Sequence, residues 1–224
     1  MDTRQYRSAH EKVPGVQTPV MKELLGTKQL TWLLDGLKAS RATWKFIATS
    51  VPLSYPTGWP RPEETGYDGW SDGQWDTISG PEIELQKIFE QIRDGPIHNV
   101  IFLSGDVHFP FCISYDPFNQ GKPLVYEIGA TPFHALPLPP PERGPDNTFH
   151  PTVLYADGKF GGDLFNFGHL IIDESAKLTF IIRDVKGHSL YELKLEPTVS
   201  NGTDRKRKSE VLENVAFEPR RSMT

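Results

Sequence analysis

The stretch that most constrains this chain is residues 97–109, "IHNVIFLSGDVHF", in which an unbroken apolar run gives way without warning to Gly105, Asp106 and His108. The unbroken run of four apolar residues, Val100 to Leu103, bounded by turn residues, predicts a strand buried on both faces. Such a strand needs helices or a second sheet on each side, so the chain must fold in α/β layers. The flanking segments agree. Residues 81–94, "PEIELQKIFEQIRD", open with Pro and Glu and place Leu85, Ile88, Phe89 and Ile92 on one helical face before Gly95-Pro96 stops the helix. Residues 27–40 repeat the pattern with Leu30, Leu33, Leu34 and Leu37 behind a candidate Thr27 cap. After this helix, "WKFIATSVPL" at 44–53 reads as a buried strand ended by Pro52.

Downstream, "FCISYDP" and "LVYEIGA" are two strands around the turn "FNQGK", and "GHLIIDESAKLTFIIRDVKGHSLYELKLE" is a three-stranded meander with turns at "DESAK" and "VKGHS". Residues 54–80 and 131–167 read as long loops, rich in Gly, Pro and Asp. Loops of that length in a compact domain are functional or disordered, and the tryptophans at 59, 70 and 75 argue for order in the first. The expected organisation is one domain over residues 1–196, followed by a disordered polar tail at 197–224.

Composition excludes several classes of partner. A net charge of −5 over 224 residues supplies no broad cationic surface, so neither nucleic acid nor an anionic membrane is expected as a partner. The "DRKRK" patch and the Asn201 glycosylation sequon both lie in the tail and do not change that. No run of about 18 apolar residues exists to cross a bilayer, and the first ten residues hold no apolar stretch of a signal peptide. The single Cys112 rules out an intrachain disulfide and a cysteine zinc site, leaving any metal to His, Asp, Glu and Asn.

Ligands of open α/β sheets bind where strands end, because loops and helix N-termini converge there. Asp106 and His108 stand in that position, and Gly105 lets the backbone turn tightly and approach a ligand. Elsewhere, Arg4 and Arg7 in "DTRQYR" are candidate phosphate clamps or partners of local acids. His134 and His150 are candidate pocket residues or surface histidines. Trp59, Trp70 and Trp75 wall a pocket or anchor their loop. Asp163, Asn166 and His169 in "GGDLFNFGH" offer a weaker metal grouping than a polar loop closing on the meander, and "LPLPPPERGP" reads as a rigid connector before a polyproline ligand.

Four stretches taken in order, "DTRQYRS", "LLGTKQLTWLLDGLKASRATWKFIATSVPLS", "GYDGWSDG" and "NVIFLSGDVHF", together with the late "FGHLIID...LTFIIRDVKG", resemble the PhoD-like alkaline phosphatase and phosphodiesterase branch of the metallophosphoesterases. The resemblance covers roughly residues 1–195. It implies an α/β/β/α sandwich, of which this chain carries the C-terminal half, with a closing β-meander. It also implies a two-metal site that hydrolyses phosphate mono- or diesters, with calcium and iron as the metals, manganese being an alternative. On that resemblance Asp106 and His108 are catalytic and metal-binding, and Arg4, His134 and Trp70 are carried as substrate-binding candidates.

The family's first metal-binding carboxylates and its Asn-containing motif belong upstream of the "DTR" segment and are not in these residues. The expectation is therefore an incomplete site that needs the N-terminal half of the domain or a second copy of the chain. The alternative is a catalytically silent remnant that binds a partner or a phosphorylated ligand. Half of a two-sheet sandwich should also leave the inner face of its sheet uncovered.

Overall fold

The computed structural model describes residues 1–58 and 61–198, so Trp59 and most of the expected tail, with its basic patch and sequon, lie outside the described residues. Thr198 is held, its N–H donating to Asn99 Oδ1 at 2.8 Å. In chain order the elements are β1 (His10–Glu11), β2 (Val20–Met21), α1 (Gly26–Ala39), β3 (Lys45–Ala48), α2 (Pro62–Thr65), α3 (Glu82–Asp94), β4 (Val100–Ser104), β5 (Phe111–Tyr115), β6 (Val125–Gly129), β7 (Pro151–Ala156), β8 (Asn166–Ile172), β9 (Leu178–Asp184) and β10 (Ser189–Leu195).

Five strands form one sheet in the order β3-β4-β6-β5-β7, with β3, β4 and β6 parallel and β5 and β7 antiparallel to their neighbours. The continuous apolar run of β4 is explained by its alternation. Val100 and Phe102 point to a core shared with α1 and α3, whereas Ile101 and Leu103 point to a second core against the meander β8-β9-β10. The layers are therefore α/β/β.

Helix α1 buries Leu30, Leu33 and Leu37, as its spacing predicts, but Thr27 does not cap it. The cap arrives from outside. The Glu84 carboxylate, near the start of α3, accepts from the backbone N–H groups of Leu24, Leu25 and Gly26 at 2.7, 2.9 and 3.1 Å. Those are donors that no intrahelical carbonyl can reach, so one buried acid both ends the chain's approach to α1 and ties α1 to α3.

The loop reading of residues 131–167 is corrected by β7, which pairs with β5 from Pro151 to Ala156. A strand that opens on Pro and lies at a sheet edge loses little by the missing donor. The expectation of a bare inner face is corrected as well, because the meander covers it. One margin of the two sheets stays open. Trp44, just before β3, donates its indole N–H to Ala176 O in the β8-β9 turn, and Tyr155 of β7 stacks on Tyr191 of β10 at 4.9 Å. Thus β8 lies over the β3 side, and there Phe46, Ile171 and Ile172 remain 39–48% exposed.

Candidate functional site at the strand ends

The parallel strands β3, β4 and β6 deliver their carboxyl ends to the same side of the sheet, and Asp106 and His108 follow β4 there. Both residues hold left-handed backbone, with φ of 75° and 62°. Non-glycine residues rarely adopt this, and a bend containing two of them within three residues persists only where its surroundings enforce it. The enforcement is visible. Val107 N–H donates to Gly105 O at 3.0 Å, and Leu138 N–H donates to His108 O at 3.0 Å.

The imidazole is fixed too. His108 Nδ1 lies 2.8 Å from Leu136 O, and since a carbonyl only accepts, the proton is on Nδ1 and the Nε2 lone pair is free. Asp106 is exposed, and among the described residues no donor or cation engages its carboxylate. An uncommitted carboxylate and an uncommitted imidazole nitrogen are the two donor types that a hard or borderline cation recruits.

The remaining candidates separate. Arg4 is half exposed and 3.7 Å from Asp68, and Arg7 pairs with the same carboxylate at 2.6 Å, so both arginines meet the loop acid that was their ordinary alternative. Arg4 stays near the strand ends, because the neighbouring Thr3 hydroxyl bonds that of Ser50 at the exit of β3. His134 is exposed on the loop that carries Leu136. Trp70 does not wall a pocket. It is completely buried and donates its indole N–H to Thr49 Oγ1 at 3.2 Å, anchoring the 54–80 loop to the core.

Trp75 stacks under the Arg143 guanidinium at 3.6 Å. His150 lies at the opposite end of the sheet, where Asn119 Nδ2 donates to its Nε2 at 3.1 Å beside the β5-β6 turn. Asp163, Asn166 and His169 do not gather. Asn166 is buried and donates to Thr131 O at 2.9 Å and Leu164 O at 3.1 Å, whereas Arg183 donates to His169 on β8 at 3.3 Å. Among the described residues no three His, Cys, Asp or Glu side chains converge as a metal site. Asp106 and His108 fit two positions of a donor set that a divalent cation fills with four or more, so these residues alone do not hold one.

Two groups of buried acids escaped the sequence reading. Glu127, in the middle of β6, is fully buried and accepts from Leu53 N–H at 2.8 Å, Ser104 Oγ at 2.7 Å and Tyr115 Oη at 2.5 Å. Burial pushes its carboxyl up to about 7 against the opposing pull of those three donors. The signal was present, since an acid inside the apolar "LVYEIGA" has no solvent to face.

The second group is Asp72, Glu82 and Asp146, which secures the 54–80 loop and the 141–149 turn to the start of α3 through Ser79, Ser71 and Thr148. Burial, then the nearby Asp146, pushes Glu82 up to about 9. Burial also takes Cys112 up to about 12 and leaves it inert as a nucleophile.

The family model described as PhoD-like phosphatase matches residues 1–174. Alkaline phosphatase D of Bacillus subtilis (strain 168) is 27% identical over 115 residues, a match that takes in 48% of this chain and 18% of that protein. A solved structure titled "Structure of PhoD" superposes with a TM-score of 0.51 at 17% identity, over 95% of this chain and 47% of that one, which shows a common fold. The chain thus spans about half the length of the solved relative and less than a fifth of the curated one. With the family match extending over most of its length, from the first residue through the strand ends and into the meander, this chain belongs to the PhoD-like phosphatase family.

Proposed function

We propose that the chain supplies one wall of a metal-dependent site that hydrolyses phosphate mono- or diesters, with Asp106 and His108 as its metal- and phosphate-facing groups. The observation that carries this reading is the corner itself. It holds an unpaired carboxylate and an imidazole whose tautomer is set by Leu136, presented together on strained backbone at the carboxyl ends of parallel strands. The family match supports hydrolysis of phosphate esters as the chemistry.

In that role Asp106 contributes a carboxylate oxygen to a cation, with calcium and iron, or manganese, as the candidates. His108 contributes Nε2, either as a second donor through its lone pair or, when protonated there as well, as the acid that gives a proton to the departing oxygen. When bound, the metal pair would polarise the phosphoryl oxygen and lower the pKa of a water. Arg4 can swing from its 3.7 Å contact with Asp68 toward a phosphate oxygen, and His134 borders the approach. Water exclusion on the far side, and the donors beyond these two, have to come from a further stretch of polypeptide or from a second copy.

The test is elemental analysis of the chain alongside hydrolysis of bis-aryl and mono-aryl phosphate with calcium, iron and manganese. Metal content or turnover that falls to background in Asp106→Asn supports the reading, and values unchanged in that variant remove Asp106 from the site. A second reading, a wall that binds phosphorylated ligands without turnover, is favoured by the absence of a third converging donor among the described residues. It is distinguished by phosphate affinity that depends on His108 while no metal restores hydrolysis.

A further inference from the structure

We propose that Glu127 is the positioning residue of the Asp106–His108 corner, clamping the exits of β3 and β4 in the one arrangement that keeps His108 in its Nδ1–H tautomer. The proposal rests on the corner being the functional site, and its physical basis is separate from any turnover. One carboxylate receives three donors that come from three different segments. Leu53 N–H belongs to the chain leaving β3, Ser104 Oγ is the last residue of β4, and Tyr115 Oη ends β5. Ser104 directly precedes Gly105, so its hydrogen bond to Glu127 Oε1 fixes where the bend starts. The other end of the bend is fixed by Leu136 and Leu138 through His108 Nδ1 and O. Between those two anchors lie Gly105, Asp106 and Val107, with φ positive at Asp106 and again at His108.

Strained backbone relaxes unless both ends are held, and no apolar residue in place of Glu127 could hold this one. The neighbours of Glu127 across the sheet are Phe102 and Ile113, so a leucine side chain would itself suit the surrounding core, at the cost of leaving Leu53 N–H and the Ser104 and Tyr115 hydroxyls unpaired. An acid at this position is costly to bury. It is explained by what it binds, namely the two strand exits that frame the corner.

The experiment uses the full chain with uniformly 15N-labelled histidine and three variants, Ser104→Ala, Glu127→Gln and Glu127→Leu. The readout is the ratio of Nδ1–H to Nε2–H tautomer at His108, taken from the ring nitrogen shifts. His150, which accepts from Asn119 at the opposite end of the sheet, and His98, just before the start of β4, serve as internal references away from the corner.

Ser104→Ala and Glu127→Leu should lower the His108 ratio about tenfold, the equivalent of one hydrogen bond's bias, with the references unmoved. Glu127→Gln keeps one oxygen for Leu53 and Ser104 and lets the Tyr115 hydroxyl turn to accept, so it should stay within about twofold of the parent. Should Glu127→Leu fail to fold, Ser104→Ala alone carries the test, since it removes a single hydroxyl. A His108 ratio unchanged in Ser104→Ala, or one that moves only together with both references, overturns the assignment. A preparation that binds no metal and turns over nothing defeats the hydrolase reading while leaving this result intact.

Discussion

Replacing Glu84 should unfasten α1 from α3, and the size of the loss can be worked from three hydrogen bonds. Glu84 Oε2 accepts from Leu24 and Leu25, whose residues are fully buried, and Oε1 accepts from Gly26. Glu84→Ala leaves three backbone donors without a partner and two of them without water. An unsatisfied buried donor costs about 1–3 kcal/mol, and local relaxation recovers part of the sum, so the expected loss is roughly 3–5 kcal/mol.

Glu84→Gln retains an oxygen for Leu24 and Leu25 but turns its amide NH2, itself a donor, toward the Gly26 N–H, for a loss of about 1–2 kcal/mol. At about 2–4 °C per kcal/mol for a chain of this size, the melting temperature should fall by roughly 6–20 °C for Ala and roughly 2–8 °C for Gln. Calorimetry reads the shift, and amide exchange localises it, with Leu24 and Leu25 losing protection before the core of α3. A Glu84→Ala melt within about 2 °C of the parent, or a Gln variant weaker than Ala, would refute the external cap.

The buried acids give the chain a pH signature. Glu82 and Glu127 have folded-state pKa values above the ordinary 4.5, so their contribution is complete below about pH 4.5 and is lost as pH rises, through about 7 for Glu127 and about 9 for Glu82. Chemical denaturation from pH 5 to 9 should show stability declining by several kcal/mol, and Glu82→Gln should flatten the curve above pH 7, where an unchanged slope would point to other groups. Trp70→Phe removes a buried indole and its bond to Thr49, and should cost about 2–3 kcal/mol without altering phosphate affinity; an altered affinity with an unaltered melt would return Trp70 to the pocket.

Much of the layering was legible because it is written in local periodicity. The spacing of Leu30, Leu33 and Leu37, and of Leu85, Ile88, Phe89 and Ile92, fixes α1 and α3 and their buried faces. The unbroken apolarity of β4 announces two covered faces, and the turns "DESAK" and "VKGHS" set the meander register. What stayed hidden depends on partners distant in sequence. β7 is a half-exposed edge strand whose pairing with β5 gives it an identity that its Pro-led sequence conceals. The α1 cap comes from a residue 58 to 60 positions away, where no capping motif can be read.

The site divides along the same line. Asp106 and His108 stood out because Gly-Asp-x-His after an apolar strand is a local pattern, and the left-handed backbone at both is the local consequence. What keeps that backbone in place is not local. Glu127 reaches Tyr115, Ser104 and Leu53 across 12, 23 and 74 positions, and only the sheet order β3-β4-β6-β5 brings the four together. A sequence can therefore display the two side chains of the corner while concealing the acid that ties the strand exits beside them. An acid set within an otherwise apolar strand is the one trace of such a group that a sequence does carry, because burying it needs a reason that the strand itself does not supply.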